Sequence, residues 1–175
     1  MSNKVMVTVA PTGGMAKKSQ NPHLPTQPEE IVNAVVNCHA LGASIAALHV
    51  RRPDDQATCD DRIYRQVNEL IRSRCDIILN NSTGGGSDGD MLVKRTDGLF
   101  ESSFDERLKG LEAGAEMATF DGMTFVDTIN PGREVLVITP PSRCDTLIAR
   151  MAERGIKSPN GRCSRLSTSC RTSRG

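Results

Sequence analysis

Three polar segments of the sequence each follow an apolar stretch, and their side chains could bind a small anionic substrate. The segments are residues 11–14 (Pro-Thr-Gly-Gly), residues 49–53 beginning with His49, and residues 80–86 (Asn-Asn-Ser-Thr-Gly-Gly-Gly). The hydroxyls and unhindered backbone N–H groups of residues 82–86 could hold a carboxylate or a phosphate, although a plain glycine-rich turn fits equally well. No Gly-Lys-Ser/Thr follows, which excludes a Walker loop.

His49 has two interpretations of its own. Its imidazole could serve as a metal ligand, which is the most common metal-binding role of this residue type. A lone histidine late in an apolar strand is, however, more often a hydrogen-bonded core residue than a ligand. The residue type alone therefore leaves both roles open.

The elements that must position these segments alternate between strands and helices, as judged by hydrophobic periods of two and 3.6 residues. Strands are predicted at residues 4–10, 44–50, 76–79 and 116–120, and extended segments at residues 123–128 and 134–139. Helices are predicted from Pro28 with a Thr26–Glu29 capping box, after an Asp60 cap, around Phe104, Leu108 and Leu111, and from a Ser142–Asp145 cap to Gly155.

This alternation predicts an α/β fold with a mainly parallel sheet, either doubly wound or part of a (β/α)₈ barrel. Both architectures place function at the C-terminal ends of the strands. The three polar segments should therefore open on one face of the molecule.

Composition indicates one globular domain. The 175 residues are 37% hydrophobic and 25% charged, and they contain no apolar run long enough to cross a bilayer. The first residues lack the apolar core of a signal peptide, so we expect a cytoplasmic protein without a membrane partner. The six cysteines form no C-x-x-C pair and predict neither a disulfide framework nor a zinc knuckle.

The end of the chain differs from the rest. From Lys157 onward there are five basic residues and no acidic residue, with many serines and almost no apolar periodicity. Such a segment is typical of a disordered terminus. A nucleic-acid or acidic-membrane arm is the alternative, but nucleic-acid binding is not expected because aromatic residues are absent from it.

Taken together, the segments resemble a known family, the β-keto acid cleavage enzymes, in a series of ordered motifs. The motifs are Val7-Thr8-Val9-Ala10-Pro11-Thr12-Gly13-Gly14, Asn21-Pro22-His23-Leu24-Pro25, Pro28-Glu29-Glu30-Ile31, Gly42-Ala43, Leu48-His49-Val50-Arg51, Ser82-Thr83-Gly84-Gly85, Glu116-Met117-Ala118-Thr119 and Arg150-Met151-Ala152-Glu153-Arg154-Gly155-Ile156-Lys157. Each motif alone is a weak signal, but so many in the right order are hard to obtain by chance.

The resemblance implies a zinc-dependent (β/α)₈ barrel that condenses a β-keto acid with acetyl-CoA, giving acetoacetate and a new CoA thioester, a step of amino acid catabolism in the family. It implies that His49 is a metal ligand, as the second residue of a His-x-His pair on one side of a strand. It also implies that Ser82, Gly85 and Thr124 bind the keto acid.

Two positions depart from the family pattern. Ala47 stands where the first histidine of the pair is expected, and Met15 stands where some members carry an acidic residue. A further glutamate ligand of the family lies beyond the end of this sequence. At most one of three protein ligands is therefore expected here, so zinc should bind weakly or not at all.

The similarity stops near Lys157. We expect residues 1–157 to form an incomplete TIM-barrel-like domain of about four βα units, and residues 158–175 to be a basic tail that is disordered or read in another frame. A half barrel leaves sheet edges and an apolar interior uncovered, which predicts a homo-oligomer. The chain is accordingly either a cleavage enzyme with impaired activity or, alternatively, a non-catalytic degenerate half barrel or interaction module.

Overall fold

A computed structural model describes residues 5–128 and 133–158 of the chain. Its helices are α1 (Pro28–Ala40), α2 (Asp61–Arg72), α3 (Phe104–Lys109) and α4 (Pro141–Glu153). Its strands are β1 (Thr8–Val9), β2 (Ile45–Leu48), β3 (Val50–Arg51), β4 (Ala57–Thr58), β5 (Ile78–Asn81), β6 (Leu92–Lys94), β7 (Phe100–Ser102), β8 (Met117–Ala118), β9 (Phe125–Asp127) and β10 (Val135–Val137).

The main sheet has the order β1-β2-β5-β8, and all of its strand pairs are parallel. Strand order in this sheet therefore follows chain order. Lys157 continues the series, since its N–H and its carbonyl pair with the backbone of Glu116 and Ala118 beside β8. The parallel α/β sheet predicted from the alternating periodicity is confirmed.

The helices cover one face of this sheet. Apolar residues of α1 and α2 pack with β2 and β5, and the fully buried members of this core include Ile31, Val35, Leu48, Val67 and Leu79. A second cluster joins Ala118 of β8 to Leu147 and Met151 of α4. Burying each such side chain contributes about 1.5–3 kcal/mol. A sheet in chain order with helices on one face is typical of (β/α) barrels.

The opposite face of the sheet carries side chains that no helix covers. Ile78 is 39% exposed there, and the segment before β1 exposes Val5 and Met6. Residues 5–7 lie outside the strand because β1 pairs with β2, whose partner backbone begins at Ser44. The strand predicted over residues 4–10 is therefore shorter than expected.

The helix starts agree with the sequence in part. The Asp60 carboxylate accepts the Arg62 N–H and caps α2 as predicted. The capping box of α1 lies one residue later than predicted, because Glu30 rather than Glu29 accepts the backbone N–H of Gln27. The predicted cap of α4 is wrong: the helix begins at Pro141, whose fixed φ suits a first turn, without a side-chain cap.

Three strands were missed by the periodicity: β4, which pairs with β3, and the strands β6 and β7. The strands β6 and β7 form an antiparallel hairpin within a second sheet of order β6-β7-β10-β9, where only the pair β9–β10 was expected. The strand predicted over residues 76–79 is shifted to Ile78–Asn81.

The predicted tail from residue 159 onward lies outside the described residues. Among the described residues, no helix combines the length and apolar character needed to span a membrane.

Candidate functional site

The C-terminal ends of the four parallel strands bring the predicted polar segments together. Residues 10–14 follow β1, His49 follows β2, residues 82–86 follow β5 and Thr119 follows β8. Because β2 lies between β1 and β5, the loops of these two neighbours meet above His49. The sequence-based expectation that the three segments open on one face agrees with this arrangement.

The loops after β1 and β5 touch through glycines and form a roof over the end of β2. A Cβ on Gly14 would lie 2.8 Å from the Gly85 carbonyl oxygen, and a Cβ on Gly86 would lie 2.6 Å from the Gly14 carbonyl oxygen. An ion pair of 2.6 Å between Lys17 and Asp88 ties the same loops at their far ends. We call residues 13–17 with residues 84–88 the glycine roof.

The loop of residues 82–85 is held in shape by its own polar groups. The Ser82 hydroxyl oxygen accepts the Gly84 N–H at 3.0 Å, and the Thr83 hydroxyl donates to the Thr119 carbonyl at 2.8 Å. Gly85 has a φ of +62°, a conformation that L side chains rarely adopt. The N–H groups of Thr83, Gly84 and Gly86 are already bonded, so among the described residues the Gly85 N–H is the one of this turn that keeps no partner.

His49 lies on the face of β2 that points away from the helices. Its neighbours Leu48 and Val50 belong to the helix-facing core, and Ala47 shares the side of His49. The Nδ1 atom of His49 is buried and has no hydrogen-bond partner. Burial, together with the nearby Arg51 charge, lowers the pKa of His49 to about 4, so the imidazole is neutral at physiological pH.

Arg51 is the largest fully buried side chain of the site, with 1% of its surface exposed. Its Nη2 donates to the carbonyls of Gly13 and Ala16, at 2.9 and 3.1 Å, and so attaches the roof to the end of β2. Its Nε and Nη1 are buried without a partner. Burial lowers the pKa of Arg51, an effect that the more distant charges of Asp88 and Asp55 oppose.

Asn80 and Tyr64 complete the polar surroundings of the site. Asn80 lies opposite Ala47 in the parallel register and keeps a buried Oδ1 without a partner. The Tyr64 hydroxyl, delivered from α2, lies 3.1 Å from the carbonyls of both Leu48 and Ser82 and thereby joins the ends of β2 and β5. Burial raises the pKa of Tyr64 well above its ordinary value.

A second buried arginine, Arg107 of α3, fastens the loop of residues 82–85 from behind. It donates from Nε to the Thr83 carbonyl at 2.9 Å, from Nη1 to the Thr139 hydroxyl at 2.8 Å and from Nη2 to the Asp121 carbonyl at 3.3 Å. These bonds connect the loop after β5 to the segments that follow β8 and β10. Arg107 thus holds the loop of residues 82–85 in place through the Thr83 carbonyl.

Thr124 is not brought into direct contact with residues 82–85. It is exposed, and its hydroxyl oxygen accepts the Thr139 N–H at 3.0 Å. The hydroxyl that does contact this loop belongs to Thr119, which accepts the Thr83 N–H at 3.0 Å. Thr119 stands directly after β8, and that position is the signal that could have identified it.

Other residues of the site also escaped sequence reasoning. Arg51 belongs to the family motif Leu48-His49-Val50-Arg51, but the sequence predicted no function for it. Asn80 and Tyr64 were not predicted as site residues either. The position of Arg51 two residues after His49 was an available signal, since alternate residues of a strand share a side. Nothing local in the sequence marks Tyr64, because its role depends on where α2 packs.

The donor set around His49 is poor for a metal ion. Zinc sites in proteins use three or four nitrogen, sulfur or oxygen ligands. No group of three or more His, Cys, Asp or Glu residues able to hold a metal occurs in residues 5–128 and 133–158. The Cys59 thiol donates to the Ser82 carbonyl in the loop after β5. Burial raises the pKa of Cys59 to about 12, so this residue offers no thiolate to a metal ion.

Comparison with known proteins shows extensive similarity. Residues 4–163 match a family described as beta-keto acid cleavage enzyme. The chain is 34% identical over 158 residues to a 3-keto-5-aminohexanoate cleavage enzyme of Fusobacterium nucleatum subsp. nucleatum, covering 90% of this chain and 52% of that protein. It is 34% identical over 118 residues to a 3-dehydrocarnitine:acetyl-CoA trimethylamine transferase of Rhizobium meliloti, covering 66% of this chain and 37% of that protein.

Solved structures show the same fold. ObcA in a ternary complex with a C4-CoA adduct and oxalate matches with a TM-score of 0.58 at 20% identity, over 78% of this chain and 30% of that one. Apo ObcA matches with a TM-score of 0.56. The chain spans about half the length, or less, of the curated relatives it matches.

Proposed function

This chain belongs to the β-keto acid cleavage enzyme family, as its motifs indicated, and we propose that it forms the keto-acid-binding half of such an enzyme, folded as a partial (β/α) barrel. The relatives are named for cleaving or transferring groups of keto acids, several with acetyl-CoA. The proposed reaction joins a β-keto acid with acetyl-CoA and yields acetoacetate and a new CoA thioester. The half described here binds the keto acid but turns it over poorly on its own.

The observation that carries this proposal is the closed polar site at the end of β2. The glycine roof contacts His49 and Arg51, and Asn80 lies on the neighbouring strand β5 opposite Ala47. Each of these three residues keeps a buried polar atom without a partner. An unpaired buried polar group destabilises a fold by about 1–3 kcal/mol, so each one needs an explanation, and a bound ligand supplies one for a group of them at the end of a strand. The carboxylate and carbonyl oxygens of a keto acid would accept hydrogen bonds from the free donors of Arg51.

The loop of residues 82–85 contributes hydrogen bonds to the substrate. The Ser82 hydroxyl oxygen is already an acceptor for Gly84, which leaves the hydroxyl proton to donate. The Gly85 N–H is rigidly presented by the turn and would approach an oxygen without hindrance from a side chain. These two donors orient the keto acid, in agreement with the roles implied for Ser82 and Gly85 by family resemblance.

Zinc does not fit the residues described here by themselves. His49 could supply one neutral imidazole, but Ala47, on the same side of the strand, cannot bind a metal. One ligand gives far weaker binding than three. We therefore assign the described residues the binding and orientation of substrate, and route no chemical step through a metal.

A non-catalytic half barrel is the second candidate, and two observations favour it. The uncovered face of the sheet exposes Ile78, and the loss of a histidine at Ala47 removes a ligand that the family pattern requires. In this candidate the chain binds a keto acid or a protein partner without cleaving anything. The homo-oligomer expected from the sequence would cover the same face.

The first experiment tests keto-acid binding, and a turnover assay beside it separates the two candidates. The purified chain is mixed with acetoacetate, and amide hydrogen exchange of residues 82–85 is followed by NMR. Slower exchange with ligand is expected for the keto-acid-binding half, and it should disappear in Ser82→Ala but persist in the control Ser142→Ala, an exposed serine at the start of α4. Equal exchange with and without acetoacetate would contradict the proposed function. A parallel assay for new CoA thioester, with acetyl-CoA added, measures turnover.

A further inference from the structure

Among the described residues, Arg51 and Arg107 are both buried arginines without an ion pair, but only Arg51 also leaves donor nitrogens without an acceptor. It is 1% exposed, and among the described residues no carboxylate lies within salt-bridge distance of its guanidinium. Asp88 and Asp55 act on it only at longer range, and Asp88 already pairs with Lys17. A buried cation of this kind is costly unless an anion comes to it.

The hydrogen bonds of Arg51 point to the same requirement. Both carbonyl partners, Gly13 and Ala16, bind Nη2, while Nε and Nη1 are enclosed with no acceptor. A guanidinium presents five donors and has no acceptor capacity of its own, so the free donors need an electron-rich group. No acceptor among the described residues bonds Nε or Nη1, and Met15, between the two carbonyls, places its sulfur against the Ser87 hydroxyl.

The surroundings of Arg51 are those of the candidate site. Val50 faces the helices, so Arg51 and His49 flank it on the other side, and His49 feels the Arg51 charge. The buried His49 Nδ1 and Asn80 Oδ1 also lack partners. Buried polar atoms without partners thus occur on His49 and Arg51, which contact the glycine roof, and on Asn80 of the neighbouring strand β5.

We infer that Arg51 is an anion-binding residue of this site and that its ligand is a carboxylate of the substrate. The inference rests on the proposed function and makes it more specific, because it assigns the substrate's charge to one guanidinium. The carboxylate accepts from Nε or Nη1 and neutralises the buried cation. The ligand enters when residues 13–17 and 84–88 separate, since the roof closes the site in the structure described here.

The test measures binding of acetoacetate to the full chain by isothermal titration calorimetry, without metal or acetyl-CoA. Arg51→Met removes the charge and keeps an apolar stem of similar length. Its affinity for acetoacetate should fall about 10- to 100-fold, the loss expected for one charge-assisted hydrogen bond. Arg52→Met is the matched control, because Arg52 is a neighbouring but exposed arginine with only loose pairs of 3.8 Å to Asp54 and Asp90.

Ligand controls identify the group that is recognised. Methyl acetoacetate, which lacks the charge, should bind the wild-type chain and Arg51→Met equally weakly. Inorganic phosphate tests the other common source of an anion, such as the phosphates of a CoA thioester. Tighter binding of phosphate than of acetoacetate would overturn the assignment to a carboxylate, and so would unchanged acetoacetate affinity in Arg51→Met.

A measurement on the wild-type chain decides the matter if Arg51→Met does not fold. The Nε–Hε NMR signal of Arg51, assigned by its loss in Arg51→Lys, should shift and exchange more slowly when acetoacetate is added. A signal that does not respond to saturating acetoacetate contradicts the inference. Failure here is distinguishable from failure of the proposed function: a CoA thioester formed with the same KM in Arg51→Met keeps the function and removes the role of Arg51.

Discussion

Replacing Arg107 by methionine should destabilise the chain by about 3 kcal/mol. The substitution removes three hydrogen bonds from a side chain that is 1% exposed, and leaves the carbonyls of Thr83 and Asp121 and the Thr139 hydroxyl without their donor. Each buried acceptor left unpaired costs about 1–3 kcal/mol. Part of that sum is recovered because a buried charge is no longer desolvated, which gives the net figure.

Urea denaturation followed by circular dichroism measures this change. With an m-value of about 1–3 kcal/mol/M, a loss of this size moves the midpoint by about 1–3 M. Arg150→Met is the control, since Arg150 is an exposed residue of α4 and its replacement should change the free energy of unfolding by less than about 0.5 kcal/mol.

The loss of stability in Arg107→Met should be concentrated in the loop after β5. Amide exchange of residues 83–85 should accelerate in Arg107→Met more than exchange in α1, because Arg107 holds the Thr83 carbonyl and has no bond to that helix. A loss below about 1 kcal/mol, or acceleration spread evenly over the chain, would refute the view that Arg107 fastens this loop.

Four further predictions concern the site and its surroundings. Elemental analysis of the purified chain should find well under one zinc per chain, because His49 alone is a weak ligand; one tightly held zinc would contradict this. Iodoacetamide at pH 8 should leave Cys59 unmodified in the folded chain, since its pKa of about 12 keeps it a thiol, whereas denaturation should make it reactive. Gly86→Ala should cost about 1–3 kcal/mol in thermal unfolding, because the new Cβ would lie 2.5 Å from that of Ala57, and an unchanged transition would mean that the roof is loose. Light scattering should show a homodimer or larger species that persists after cleavage behind Lys157, and a stable monomer would mean that the exposed Ile78 face needs no cover.

The fold could be predicted where local pattern and neighbours agree. The helix α2 begins after Asp60 as expected, because a side-chain cap and an amphipathic pattern both mark its first turn. The shortened β1 could not be foreseen, since its length depends on where β2 begins to pair. The hairpin β6–β7 was missed because its residues alternate poorly, with Lys94 and Phe100 in one cross-strand pair.

The site was predictable as a location but not as a network. Parallel strands place Ser82 and His49 at one end of the sheet whatever their side chains do, so sequence order was enough. The hydrogen bonds of Tyr64 and Arg107 come from helices that approach from elsewhere in the chain, and no local spacing reveals them. Arg51 is likewise covered by residues 13–17, which contact Gly85 and Gly86 from a distant part of the chain.

Tyr64 gives the molecule an optical reporter at the site. The sequence has one tyrosine and no tryptophan, so near-ultraviolet absorption and fluorescence arise chiefly from the ring whose hydroxyl joins the ends of β2 and β5. Because burial raises its pKa well above the ordinary value, the native chain should form no tyrosinate at a pH of about 11, where an exposed phenol is largely ionised. The tyrosinate absorption band therefore appears when the Tyr64 hydroxyl leaves the carbonyls of Leu48 and Ser82. Its rate of appearance after a jump to alkaline pH measures the rate of this local opening without any label.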